Sequence, residues 1–200
     1  NPMKRLIPSA LAGMLFGLTA RLFARASHAL AAQFKRRIAW APLRPLLGGC
    51  VIAALAWSLG AERYLGLGLP VIQQSFEQPL PAWDFAGKLA FTVASIGSGF
   101  KGGEVTPLFF IGATLGNALA PLLQLPLDLL AAVGLVAVFA GAANTPLACT
   151  LMAVELFGAA LGVPAALGCA TSYLCSGSQG IYHAQRPGAG KIVKPVPPAA

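Results

Sequence analysis

Apolar residues in this chain fall in long runs, and the polar residues gather in the gaps between them. A hydrocarbon core about 30 Å thick takes roughly 20 apolar residues per helix, so each run predicts a span or a shorter half-span. The first extends from Ile7 to about Ala32, interrupted by Arg21 and Arg25. The second extends from Pro45 to Ala61 and is ended by Glu62 and Arg63. Residues 64–82, with Gly66, Gly68, Pro70, Pro79 and Pro81, predict a connecting loop holding one short helical piece. Phe85 to Ile96 is too short to cross alone. Residues 105–127 carry Pro107, Pro121 and Pro126; residues 129–154 carry Asn144-Thr145-Pro146; residues 156–185 are broken by Pro164 and Gly177.

Short apolar segments interrupted by Pro and Gly are the pattern of broken helices in transporters, where unpaired backbone is tolerated only if it lines a polar cavity. The predicted fold is therefore all-α, a multi-pass transmembrane bundle with broken and re-entrant helices. Gly13 and Gly17, Gly112 and Gly116, and Gly158 and Gly162 each place two glycines one helical turn apart. Such pairs let a neighbouring helix backbone approach closely, so they predict tight packing and say nothing about substrate.

Composition agrees: of 200 residues, 56% are hydrophobic and only 10% charged, against about a quarter charged in soluble domains. The mean hydropathy is +0.72. The 23 Gly and 16 Pro sit inside apolar runs, which excludes disordered, collagenous and disulfide-scaffold chains. The net charge of +8 would suggest nucleic acid if it covered one face, but it does not. Residues 1–44 hold eight bases and no acid, residues 45–185 three bases and all six acids, and residues 186–200 three bases. Bases retained beside spans mark the cytoplasmic side, which predicts the 33–44 loop and the C-terminus inside the cell, in a cell-membrane protein with no nucleic-acid partner. Lys35, Arg36 and Arg37 read equally as a solvated turn, and the two readings are compatible. Cys50, Cys149, Cys169 and Cys175 lie among apolar residues without metal-ligand spacing, so they read as buried free thiols, with no metal and no cofactor expected.

The most informative stretch is Gly97-Ser98-Gly99-Phe100-Lys101-Gly102-Gly103-Glu104-Val105-Thr106-Pro107. Gly97, Gly99 and Gly102 match G-x-G-x-x-G, yet a dinucleotide fingerprint needs a preceding strand and an acid about 20 residues on. The run before it is helix-like and no acid follows Glu104 until Asp128. Thr106 then Pro107 predicts a helix beginning near residue 107, with the hydroxyl as cap and the proline at the first position. The glycines let the N–H groups around Glu104, Val105 and Thr106 converge, a point suited to an anion. Its partial charge can strip part of an anion's hydration without trapping it, as conduction requires.

At this stretch the sequence resembles the CLC family of chloride channels and proton-coupled anion antiporters. Gly103-Glu104-Val105-Thr106-Pro107 stands where that family carries G-x-F-x-P, with Val105 for the phenylalanine. The G-E-V-T-P form is similar to the fluoride-transporting branch. Ala143-Asn144-Thr145-Pro146-Leu147 leading into Glu155 is similar to the family's late broken helix, and Gly180-Ile181-Tyr182 to its inner-gate tyrosine. The resemblance runs from about residue 6 to 185. It implies two inverted halves, of which this chain is the second, with the anion path inside each subunit of a homodimer in the lipid bilayer. Residues 1–185 would be the transport domain and 186–200 a short basic, Pro-rich cytoplasmic tail. The gating glutamate would belong to the first half, and the opening Asn1-Pro2 agrees with a chain taken from a longer protein.

On that resemblance the function is fluoride/proton antiport exporting fluoride, with a chloride channel or chloride/proton exchanger as the alternative. An intramembrane enzyme using Glu104 with a histidine and a non-conducting scaffold are rivals from other classes; the expectation is not an enzyme. Gly103, Glu104, Val105, Thr106 and Tyr182 are the candidate anion-binding residues. Glu104 reads as a proton-coupling group, or as a carboxylate complementing the helix's positive end. Thr106 can cap and donate at once. Tyr182 reads as a pore hydroxyl or an interfacial anchor, and Lys101 as an anion entrance or a solvated loop lysine. Asn144, Thr145 and Glu155 read as stabilisers of a broken helix, and His28 and His183 as packed or interfacial residues.

Overall fold

The computed structural model describes residues 3–177 and 180–182. Among these, eight α-helices follow one another with no strand. They are α1 (Met3–Arg37), α2 (Leu43–Leu59), α3 (Leu69–Glu77), α4 (Asp84–Gly97), α5 (Val105–Leu123), α6 (Leu127–Ala143), α7 (Pro146–Phe157) and α8 (Gly162–Cys175). Single 3-10 turns at Glu62–Tyr64 and Ala159–Leu161 lie in the connections.

The apolar runs thus become helices, with three shifts of boundary. First, α1 continues past Ala32, so Lys35, Arg36 and Arg37 form its last turn, where cations complement the helix C-terminus. The expected 33–44 loop shrinks to residues 38–42, closed by Arg44, whose guanidinium donates to the carbonyls of Ile38 at 2.8 Å and Ala39 at 3.3 Å. Second, Pro164 does not break the chain. It sits in the first turn of α8, where a helix amide has no acceptor anyway. Third, the break comes at Gly158, whose φ of +88° separates α7 from the following 3-10 turn. Gly158 and Gly162 therefore do not share a helix face.

The other two glycine pairs behave as expected. A Cβ on Gly112 would collide with the Gly134 carbonyl, and one on Gly116 with the Leu130 carbonyl, so α5 and α6 cross backbone to backbone. Gly13 and Gly17 of α1 meet Gly168 and Ser172 of α8 in the same way. Helix α6 has no polar side chain from Leu129 to Ala143, and Leu130 to Val138 are all buried, as an all-round apolar helix must be. The core thus consists of the α5–α6 hairpin wrapped by α1 and α8. The exterior is apolar too: Ile7, Leu18, Leu22, Trp57, Leu147 and Leu151 are all more than half exposed. So much exposed hydrocarbon suits a lipid-facing surface. Helix α1 from Ile7 onward and α5 are long and apolar enough to cross a membrane. Cys149 and Cys169 are buried, whereas Cys175 is half-buried and Cys50 lies exposed on α2, against the expectation of four buried thiols.

One buried amide ties the short helix to the core. Asn117 of α5, 2% exposed, donates to the carbonyls of Ser75 and Gln78, both at 2.8 Å, and accepts from the Leu80 amide at 2.9 Å. It satisfies the frayed end of α3, whose last carbonyls have no helical partner. Asn117→Leu, which strands these groups, is expected to lower stability by about 2–4 kcal/mol. A thermal melt of the complete polypeptide in detergent, followed by size-exclusion chromatography, checks this; an unchanged midpoint would show that the clamp contributes nothing.

Candidate functional site

Helix α4 closes with three amides turned back on its last carbonyls: Ser98 to Ala94 at 3.0 Å, Gly99 to Ile96 at 3.0 Å and Phe100 to Ser95 at 3.3 Å. Gly99 then takes φ +102°, a conformation side chains resist, which redirects the chain toward α5. Helix α5 opens at Val105 with Glu104 as its cap residue, at φ −91° and ψ −14°, and no side-chain hydrogen bond caps it. The helix therefore starts two residues before the expected 107, and Thr106 lies inside its first turn instead of capping it. The reason is physical. None of the first-turn amides has an intrahelical acceptor, so the Thr-Pro signal fixes the turn but not the residue.

The first amide to bond back is that of Leu108, to the Glu104 carbonyl at 3.2 Å. Among the described residues, the amides of Val105 and Thr106 have no backbone acceptor. They add to the positive end of a 19-residue helix whose body is buried against α6.

Two cavities flank the turn. The larger, about 160 Å³, lies toward α4 and the 62–66 segment and is lined by Tyr64, Gly66, Lys88, Ser95, Ile96, Gly102, Gly103 and Pro107 among others. The smaller, about 80 Å³, lies toward α1 and is lined by Ala24, Ser27, His28, Ala31, Ile96, Glu104 and Ile181. Ile96 belongs to both.

The predicted residues thus divide. Gly103 borders the larger cavity and half-buried Glu104 the smaller, with half-buried Val105 and Thr106 at the helix start between them. Tyr182 is 44% exposed and lines neither cavity; it adjoins the smaller one through Ile181, whose amide donates to the Ala142 carbonyl at 3.0 Å. Lys101 is exposed and also lines neither. Asn144 ends α6 at φ +58°, where Asn is among the few side chains that fit. The Thr145 amide bonds to the Ala140 carbonyl at 3.1 Å and its own carbonyl accepts from Cys149 at 3.1 Å, so these two residues do build the break. Glu155 is exposed on α7, away from that break. His183 and the 186–200 tail lie outside the described residues.

Two features escaped the sequence reading. His28, expected to be a packed or interfacial residue, shares a cavity with Glu104 and with Ser27, whose buried hydroxyl has no hydrogen-bond partner among the described residues. Lys88 interrupts what had read as an apolar half-span and is 1% exposed. The signal was available: Asp84 and Lys88 stand one turn apart at the start of an otherwise apolar helix. Among the described residues, no three of His, Cys, Asp and Glu converge to hold a metal.

The description "Voltage gated chloride channel" belongs to a family model that matches residues 1–177. A chloride/fluoride channel protein of Pseudomonas syringae pv. tomato is 59% identical over 93% of this chain and 42% of its own length. A voltage-gated ClC-type chloride channel, ClcB, of Escherichia coli O81 is 31% identical over 73% of this chain and 37% of its own. The crystal structure of a CLC-type fluoride/proton antiporter superimposes with a TM-score of 0.86 at 37% identity, covering 90% of this chain and 46% of that one. The chain spans less than half the length of each of these relatives.

Backbone geometry at the turn yields its own test. Gly99→Ala, forced to φ +102°, is expected to cost about 1 kcal/mol or more, whereas Gly102→Ala, whose added methyl meets nothing within 4 Å, should stay within about 0.5 kcal/mol. Thermal melts of the two variants check this, and an equal effect at both positions would contradict it.

Proposed function

The chain belongs to the voltage-gated chloride channel family, and from that premise we propose that it forms the second half of a membrane fluoride/proton antiporter that exports fluoride. The observation that carries the reading is the start of α5, where among the described residues the Val105 and Thr106 amides have no backbone acceptor and add to the positive end of a helix whose body is buried. Fluoride is small and holds its water tightly, so a site must offer several strong donors in exchange; backbone amides and the Thr106 hydroxyl are of that kind. Gly103 lets the anion approach the backbone, and Val105 leaves that approach apolar. Tyr182 supplies a neutral hydroxyl at the inner end of the path.

Glu104 acts as a proton-coupling group beside the anion. A carboxylate one residue ahead of the helix is held by its positive end, and protonation frees that end for fluoride. This gives transport without a chemical step, so the protein acts as a transporter and not as an enzyme. The subunit works as a homodimer in the cell membrane, with its C-terminus and the 38–42 turn on the cytoplasmic side, where the bases of α1's last turn stay. The 59% identity to a protein named for both chloride and fluoride supports an anion path of this type.

The experiment is flux from proteoliposomes holding the complete polypeptide that carries these 200 residues. Fluoride release should exceed chloride release by about tenfold or more and drive protons the other way. Equal chloride and fluoride rates would reject the fluoride assignment in favour of a chloride channel or exchanger. Glu104→Gln should slow proton-coupled fluoride release by about tenfold, the effect of losing one charge-assisted contact of ~1.4 kcal/mol. Unchanged coupling in that variant would remove Glu104 from the mechanism.

A further inference from the structure

We propose that the 160 Å³ cavity beside the turn is a second small-anion site, that Lys88 is its counter-charge, and that it feeds the start of α5. The proposal rests on the anion-transport reading above and adds a residue and a compartment to it.

Lys88 is 1% exposed, and a buried ammonium is tolerated only when its charge is answered. Its Nζ donates to the carbonyls of Tyr64 at 2.9 Å and Gly66 at 2.6 Å, and it stands 5.1 Å from the centre of the Phe110 ring. These groups are dipoles and a quadrupole; none carries a negative charge. The acid one turn earlier is already engaged. Asp84, fully buried, pairs with Arg63 at 2.7 Å and accepts the Tyr64 hydroxyl at 2.8 Å. Among the described residues no carboxylate pairs with Lys88. Arg63 and Asp84 cancel, and one positive charge remains at the wall of a cavity.

The rest of the wall suits an anion. Gly102 and Gly103 bring bare backbone to it, and their amides have no backbone acceptor among the described residues. Pro107 carries the wall to the first turn of α5, so the cavity reaches the turn that bears the Val105 and Thr106 amides. Each water takes about 30 Å³ in the liquid, so the space holds a small anion with roughly four waters. Lys101, the lysine expected at the entrance, is on the exterior, and Lys88 takes that part from the inside.

The competing role for Lys88 is mechanical: its two carbonyl bonds staple the 62–66 segment to α4. Kinetics separates the two. In proteoliposomes of the complete polypeptide, Lys88→Met should raise the fluoride concentration for half-maximal flux by about tenfold while the maximal rate stays within about twofold, and Lys88→Arg should restore it. A staple gives the opposite, a lowered maximal rate with half-saturation unmoved, and that result overturns the proposal. Should Lys88→Met fail to fold, Gly102→Glu decides: its Cβ has open space, and the new carboxylate would occupy the Lys88 charge and raise half-saturation by about tenfold. An unmoved half-saturation there also overturns the proposal. Crystals of the complete polypeptide soaked in bromide provide a readout independent of transport. Anomalous density between Lys88 and Gly102 that is lost in Lys88→Met and kept in Lys88→Arg supports the site; density absent, or indifferent to Lys88→Met, overturns it. Bromide at Lys88 in a polypeptide that moves no fluoride would sink the fluoride reading alone, whereas fluoride flux with no bromide and no kinetic shift would sink the site alone.

Discussion

The contact on which the rest depends is the crossing of α5 and α6 at Gly112 and Gly134, where no side chain stands between the two main chains. In lipid there is no hydrophobic drive to bring helices together, so close van der Waals contact between small residues takes its place. Because α6 is buried on all sides and α1 and α8 pack against it through their own small residues, α5 has one position along its axis. Its half-buried N-terminus is thereby fixed in place, and the exposed turn before it must reach it from the end of α4. A methyl group at the crossing would push the helices apart and move that N-terminus with them.

Much of this was legible in the sequence because membrane helices advertise themselves by length and by the Gly and Pro that interrupt them. The apolar runs, the break at Asn144-Thr145-Pro146 and the glycine turn ahead of α5 all stand where the pattern put them. Boundaries were less legible. Lys35 to Arg37 read as loop because charge leaves the membrane, yet a helix continues into water at no cost if its last turn is basic. The Thr-Pro pair marked a helix start without fixing which residue begins it. The site was legible in part: Glu104 is named by its motif, but which cavity it faces depends on the turn's geometry. The significance of His28 comes from a neighbour 76 residues away in sequence, which no local pattern records; Lys88 has a local signal in Asp84 one turn earlier, but the carbonyls that hold it come from residues about 20 positions away.

Charge is distributed inside out relative to a soluble protein. Leu and Trp side chains cover the exterior of α1, α2 and α7, while Asp84, Lys88 and Asn117 are nearly or fully buried. Each of the three is hydrogen-bonded by specific partners: Arg63 and Tyr64 for Asp84, three main-chain groups for Asn117, two carbonyls for Lys88. The first two sets close completely and read as construction. The third leaves a net charge open, and an unanswered charge in a low-dielectric interior is the kind of feature that has work to perform on an ion.

Ile96 borders both chambers, so one aliphatic residue is common to the wall of the compartment that holds Glu104 and the wall of the one that holds Lys88. Hydrocarbon screens poorly, so charges on either side of such a shared residue feel one another more strongly than they would at the same distance through water. If an anion sits beside Lys88 as proposed, the charge state of the Glu104 carboxyl changes the work of seating it there. On that proposal, two ions of opposite sign would act on each other through a residue that neither of them displaces.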